Sequence, residues 1–151
     1  MASPAEAVRE ALIAAEVAVY PGVKQHPYDG TVQCFVGTFP DQPDDMIYLK
    51  DVQGRKFGRD MRGGGEDQHR GVSMVVRSLE YDVGSDIVDR VCGLFEALSD
   101  DEVKVRDKSV RLLSIYRVGT PIHIGNDGAR PPRETWGIDV RVVMGQSSLG
   151  G

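Results

Sequence analysis

The chain has 151 residues, with 18 Lys and Arg against 23 Asp and Glu, so it carries a net charge of −5. An acidic balance argues against a dedicated DNA-binding domain, which normally carries a basic excess. Hydrophobic residues at 40% and charged residues at 27% are a globular mix, and the length suits one domain spanning 1–151.

The N-terminal apolar run Ala11–Ala15 stops at Glu16, far short of the roughly 20 residues a membrane span needs. Glu6 precedes the first Arg, so no basic leader region is evident, and synthesis in a cytosol-like compartment is expected. Cys34 and Cys92 form no CxxC pair and read as free, buried thiols.

Ser3, Pro4 and Glu6 form a helix start signal, and Ala7, Val8, Ala11, Leu12 and Ala15 then recur on one face until Pro21-Gly22. Thr31–Thr38 alternates Val32, Cys34 and Val36 against Gln33 and Phe35, and predicts a strand. Pro40-Asp41-Gln42-Pro43-Asp44-Asp45 has turn composition, and Met46–Lys50 predicts a second strand, so residues 31–50 resemble a hairpin. Asp41, Asp44 and Asp45 lack the alternating ligand spacing of a calcium loop and read as a solvated turn.

Gly54–Gly71 is rich in Gly and Arg, with Phe57 and Met61 nearly its only apolar side chains. It cannot offset an ordering cost of about 1–2 kcal/mol per residue, which predicts a mobile loop that orders only at an interface. Val72–Leu79 predicts a third strand, with Met74 and Val76 on one face and Val75, Arg77 and Leu79 on the other.

Residues 85–98 predict a second helix, with Ile87, Val88, Val91, Leu94, Phe95 and Leu98 on one face and Ser85 or Asp82 as cap. Ser109–Val118 predicts a fourth strand, residues 120–133 a turn-rich connection, and Glu134–Met144 a fifth strand, before a frayed tail at 146–151. The expected fold is α+β: a largely antiparallel five-stranded sheet with two helices packed on it, in the order α-β-β-β-α-β-β.

No phosphate-loop, dinucleotide, zinc-protease or nucleophile-elbow motif is present. Gly63-Gly64-Gly65 lacks the following Lys-Ser/Thr and reads as a spacer. His26, His69 and His123 have no partner at metal-ligand spacing and read as surface residues. No catalytic residue, metal or cofactor is predicted.

Charge is unevenly distributed. Arg55, Lys56, Arg59, Arg62 and Arg70 make the 54–71 segment basic. Residues 82–102 carry seven acids, Asp86 and Asp89 among them, against Arg90 alone. Lys104, Arg106, Lys108, Arg111 and Arg117 stand against Asp107 in the next block. Blocks of opposite sign suit contact between identical subunits arranged head to tail, which makes Arg55, Lys56, Arg59, Arg62, Arg70, Asp86, Asp89, Arg106, Lys108 and Arg111 candidate interface residues.

The order of features resembles one family. Phe35-Val36-Gly37-Thr38-Phe39-Pro40-Asp41-Gln42-Pro43-Asp44-Asp45, followed by Met46–Asp51, is similar to the hairpin of tail terminator proteins (minor capsid or tail completion proteins) of long-tailed bacteriophages. Val72–Asp82 resembles the family's next strand, with its Arg at Arg77 and its Tyr-like position at Tyr81. The resemblance covers about residues 5–145, although segment 54–71 is richer in Gly and Arg than the pattern. It implies a non-enzymatic virion protein in the tail-neck region. Such a protein forms a hexameric ring on the tail tube, contacts the tube protein and a head-side connector, and lets DNA pass through its lumen without specific binding. Another neck or head-completion protein is the near alternative, and a small host enzyme or ligand-binding domain the distant one.

Overall fold

A computed structural model of the chain describes residues 3–22, 32–52 and 68–145. Arg55, Lys56, Arg59 and Arg62, His26, and the tail 146–151 lie outside the described residues. Among the described residues, two helices, α1 (Pro4–Ala14) and α2 (Tyr81–Ala97), accompany eight strands. The strands are β1 (Ala18–Val19), β2 (Val32–Val36), β3 (Met46–Val52), β4 (Gln68–Ser78), β5 (Asp101–Val105), β6 (Lys108–Arg117), β7 (Ile122–Asn126) and β8 (Glu134–Gly145).

All strands join one sheet in the order β1-β2-β3-β4-β8-β6-β5, with β7 also paired to β8. The β1–β2 and β2–β3 pairs are parallel and the others antiparallel. This corrects the expected five-stranded, largely antiparallel sheet and its order. The five predicted strands exist, but β1, β5 and β7 add to them. The 31–50 segment is not a hairpin: Gln33 pairs with Met46 and Val36 with Leu49 in parallel register. Gln68–Gly71, predicted as loop, belongs to β4 and pairs with Arg141–Met144.

β6 and β7 form one interrupted strand along β8. Arg117 pairs with Val140 and Ile122 with Gly137, so residues 118–121 stand opposite Ile138 and Asp139 as an outward bulge. The Val118 N–H still donates to the Asp139 carbonyl.

Both helices cover the same sheet face. The period-2 pattern places Cys34, Ile47, Val76 and Trp136 in one cross-strand row, and Val36, Leu49, Met74 and Ile138 in the next. Against these rows α1 packs Ala5, Val8, Ala11 and Leu12, and α2 packs Ile87, Val88, Val91 and Phe95, in a single hydrophobic core. Burying each large aliphatic side chain contributes about 1.5–3 kcal/mol. α1 touches β1, β2 and β3 and also β5 at the far side of the sheet, so the sheet curls around it as a half-barrel.

Local chemistry fixes where the helices sit. Ser3 Oγ accepts from the Glu6 N–H, as the start signal predicts. The Asp51 carboxylate, at the end of β3, accepts from the Ala5 N–H (2.8 Å) and from the Ser3 hydroxyl, pinning the positive end of α1 to the sheet. α2 begins at Tyr81 rather than at Ser85, with Glu80 at the cap position making no side-chain cap. Its first turn is set by packing: a Cβ on Gly84 would lie 2.1 Å from Trp136 Cζ3, so only glycine lets the helix reach the indole.

Two alanine substitutions in α2 should therefore have opposite signs. Gly93 faces open space, and Gly93→Ala should raise stability by about 0.5–1 kcal/mol through helix propensity. Gly84→Ala meets the buried indole and should lower stability by about 1–3 kcal/mol. Urea denaturation of both variants checks the pair.

Candidate functional site

The face opposite the helices carries the second residues of each alternation: Phe35, Tyr48, Val75, Arg77 and Gly137 among them. Arg77 is 1% exposed on that face, opposite Met46 and Thr135. Its burial is supplied by residues 37–45, which return over the sheet to start β3 parallel to β2. Arg77 Nη2 donates to the carbonyls of Pro40 (3.0 Å), Asp41 (3.1 Å) and Pro43 (2.7 Å), and Nε to that of Asp44 (3.2 Å). Phe39 closes the arrangement, with its ring 5.0 Å from the guanidinium and edge-on to Tyr48.

A second buried arginine joins this strap to the β7–β8 hairpin. Arg133 Nε donates to Asp127 Oδ2 (2.7 Å), Nη2 to Asp41 Oδ1 (3.1 Å), and Nη1 to the Asp41 carbonyl and to Asp44 Oδ1 (3.3 Å). Asp45 accepts from the Leu79 N–H (2.9 Å). The three aspartates read as a solvated turn are thus tied to the arginines or to the end of β4. Burial is the main force lowering the Arg77 pKa, with the Arg133 charge adding to it. Burial also works against the Arg133 charge, but Asp127 and Asp41 hold its pKa above the ordinary value. Desolvation opposes ionisation of Asp127 as well. The Ala129 and Arg133 N–H groups and the Arg133 guanidinium outweigh it and hold that carboxyl at about 2.

The candidate interface residues fall in different surroundings. Arg111 is paired with Asp100 (2.7 Å), Arg106 with Glu6 (3.0 Å), and Arg117 with Glu96 (3.1 Å), so the acidic and basic blocks partly meet inside one chain. Asp86 lies 3.9 Å from Arg90 one helical turn on, Asp89 and Lys108 are exposed, and Arg70 is half-buried in β4.

Other chemistry is sparse among the described residues. No group of three or more His, Cys, Asp and Glu is placed to hold a metal ion. Cys34 and Cys92 are free and buried, and burial pushes the Cys34 thiol up to about 12. An open groove of about 620 Å³ lies between Phe95, Glu96 and Leu98 of the α2 end and Ser114–Arg117 of β6. Among the described residues no helix is long and apolar enough to cross a membrane.

The surface feature that the sequence did not suggest is the β7 corner. Among the described residues the two most exposed large apolar side chains, Ile122 (65%) and Ile124 (62%), stand there on the Gly137 side of the sheet, while exposed Tyr81 (53%) stands against His123 on the helix side. Tyr81 stacks edge-on to His123 at 5.1 Å, and His123 in turn lies 5.2 Å from Trp136, with its Nε2 2.8 Å from Glu134 Oε2. The Ile-x-Ile alternation was the available signal, masked by Pro121, Gly125 and Asn126-Asp127-Gly128 around it.

No protein-family model matches the chain, and no curated protein matches it. A solved structure resembles 76% of this chain over 79% of its own, at 12% identity and a TM-score of 0.44, too distant to carry an argument.

Arg77→Met should lower stability by at least about 3 kcal/mol in urea denaturation, because the buried carbonyls of Pro40–Asp44 lose their donors. Arg77→Lys should restore little, since one ammonium cannot span the positions a guanidinium fork reaches. A second test uses pH. The folded-state pKa of Asp127 is depressed, so its contribution is full above about pH 4 and is lost as pH falls toward 2. Asp127→Asn should therefore be less stable than the parent at pH 7, and that gap should close between pH 4 and 2 in denaturation midpoints.

Proposed function

We propose that the chain is a structural subunit of a long-tailed bacteriophage virion, a tail terminator. In this role it forms a ring at the head-proximal end of the tail tube, stops tube polymerisation and offers the head-side connector a joining surface. Its partners would be copies of itself, the tube protein and that connector, with DNA passing through the lumen. The role asks for surfaces rather than for a reaction centre.

One observation carries the reading. The Pro-Asp segment and the strand arginine, the two most distinctive features of the resemblance, are separated by more than thirty residues yet form one physical unit. Arg77 binds four carbonyls of Pro40–Asp44. Because this segment is a return loop and not a hairpin turn, support comes from that coupling and not from the expected strand pairing. The apolar corner at Ile122 and Ile124 adds a surface suited to a partner, since exposed apolar patches rimmed by polar residues mark interaction sites. An acidic chain also suits a lumen that DNA must traverse, because each phosphate contact adds salt-dependent affinity.

Deleting the gene from its phage should give tails of uncontrolled length that fail to join heads, as seen by electron microscopy. Normal-length, joined tails would refute the proposal, and a subunit located on the head side of the neck would assign it to head completion instead.

A further inference from the structure

β7 is a sheet edge of an unusual kind. It pairs with β8 on one side and has no strand neighbour on the other among the described residues. Edge strands are normally protected by charged side chains, Pro or a bulge. Ile122-His123-Ile124-Gly125-Asn126 carries no Lys, Arg, Asp or Glu, and its two isoleucines are the most exposed large apolar side chains described. Pro121 and the 118–121 bulge protect its start and a register shift between His123 and Gly125 interrupts its middle, so what β7 offers a partner is its two exposed isoleucine side chains.

The corner lies at one end of a molecule whose two ends differ in charge. The Tyr81–His123 contact fixes the start of α2 beside β7. From there Asp82, Asp86 and Asp89, spaced four and three residues apart, form an exposed acidic row along the helix. The tip of the β5–β6 hairpin lies at the opposite end: Glu134 at the start of β8 pairs with β7, whereas Gly145 at its far end pairs with Arg111 of β6. That tip presents exposed Lys104 and Lys108 on either side of the Arg106–Asp107 turn.

We propose that the β7 corner docks a second copy of this chain, head to tail. Ile122 and Ile124 are buried against the neighbour, and its Lys104 and Lys108 face Asp86 and Asp89. This rests on the reading of the chain as an assembling structural subunit and names the surface that would do it. A heterologous contact of this kind closes into a ring when its rotation permits. Opposed charges set the register, while the apolar side chains supply most of the affinity.

Sedimentation velocity of the full chain, from micromolar to millimolar concentration and at low and high salt, tests it. The parent should self-associate, more weakly at high salt. Ile122→Asp with Ile124→Asp should weaken association by at least about tenfold, with unchanged circular dichroism because both side chains are exposed. Asp86→Lys with Asp89→Lys, or Lys104→Glu with Lys108→Glu, should each weaken it, and all four changes in one chain should recover it. A parent that stays monomeric throughout overturns the proposal, as does association unaffected by the Ile122 and Ile124 changes. Either result leaves the virion role to be judged by the gene deletion, and normal tails in that experiment would leave this surface standing.

Discussion

The arrangement depends on two arginines buried on the outer face of the sheet. Taking a guanidinium out of water costs several kcal/mol unless its N–H groups are met. Arg77 is met by four carbonyls of residues 40–44, and those carbonyls need donors once the segment lies against the sheet. Neither is tolerable without the other. This mutual dependence lets β3 follow β2 in parallel across a connection shorter than the dozen or more residues such crossovers generally use. Arg133 extends the constraint to the β7–β8 hairpin, because it binds Asp127 with one edge and Asp41 and Asp44 with the other. The strap, the parallel pair and the orientation of β7 are therefore set by one connected cluster.

The sequence revealed the parts of the fold whose causes are local. Ser3-Pro4 marked the start of α1, and alternation set Cys34 apart from Gln33 and Phe35, and Met74 and Val76 apart from Val75 and Arg77, the division the helices then cover on one side. It also placed Arg77 on the opposite face. What alternation could not reveal is that this face is covered at that end, because the cover comes from Phe39–Asp45 and is held by Arg133, 56 positions from Arg77 along the chain. The Pro-Asp composition predicts a change of direction equally well for a hairpin and for a return loop. Only the long-range hydrogen bonds decide between them.

Three strands were hidden for different reasons. β1 has two residues, too few for a period. β5 starts with Asp101-Glu102, so its Val103 and Val105 were overshadowed by the preceding acidic run. β7 is enclosed by turn residues, and its register against β8 shifts between His123 and Gly125. The start of α2 was missed because no side chain caps it. Gly84 against Trp136 sets the approach, a tertiary contact that overrides the local preference for Ser85 or Asp82 as a cap.

The charge pattern was legible as blocks but not as geometry. Arg111–Asp100 and Arg117–Glu96 pair the acidic and basic blocks with each other, and Arg106–Glu6 ties the hairpin tip to α1. Such surface pairs contribute about 0–1 kcal/mol each, so they follow the fold rather than determine it. What they leave is an asymmetry: acids along α2 beside the apolar β7 corner, and lysines at the far hairpin tip. Charge alone would not bring copies together in salt, since exposed pairs are screened. An exposed apolar edge alone would associate without a preferred register. In the proposed contact their placement at opposite ends of one curled sheet would supply what each lacks, and the Asp127–Arg133 pair ties the end of the β7 edge to the strap.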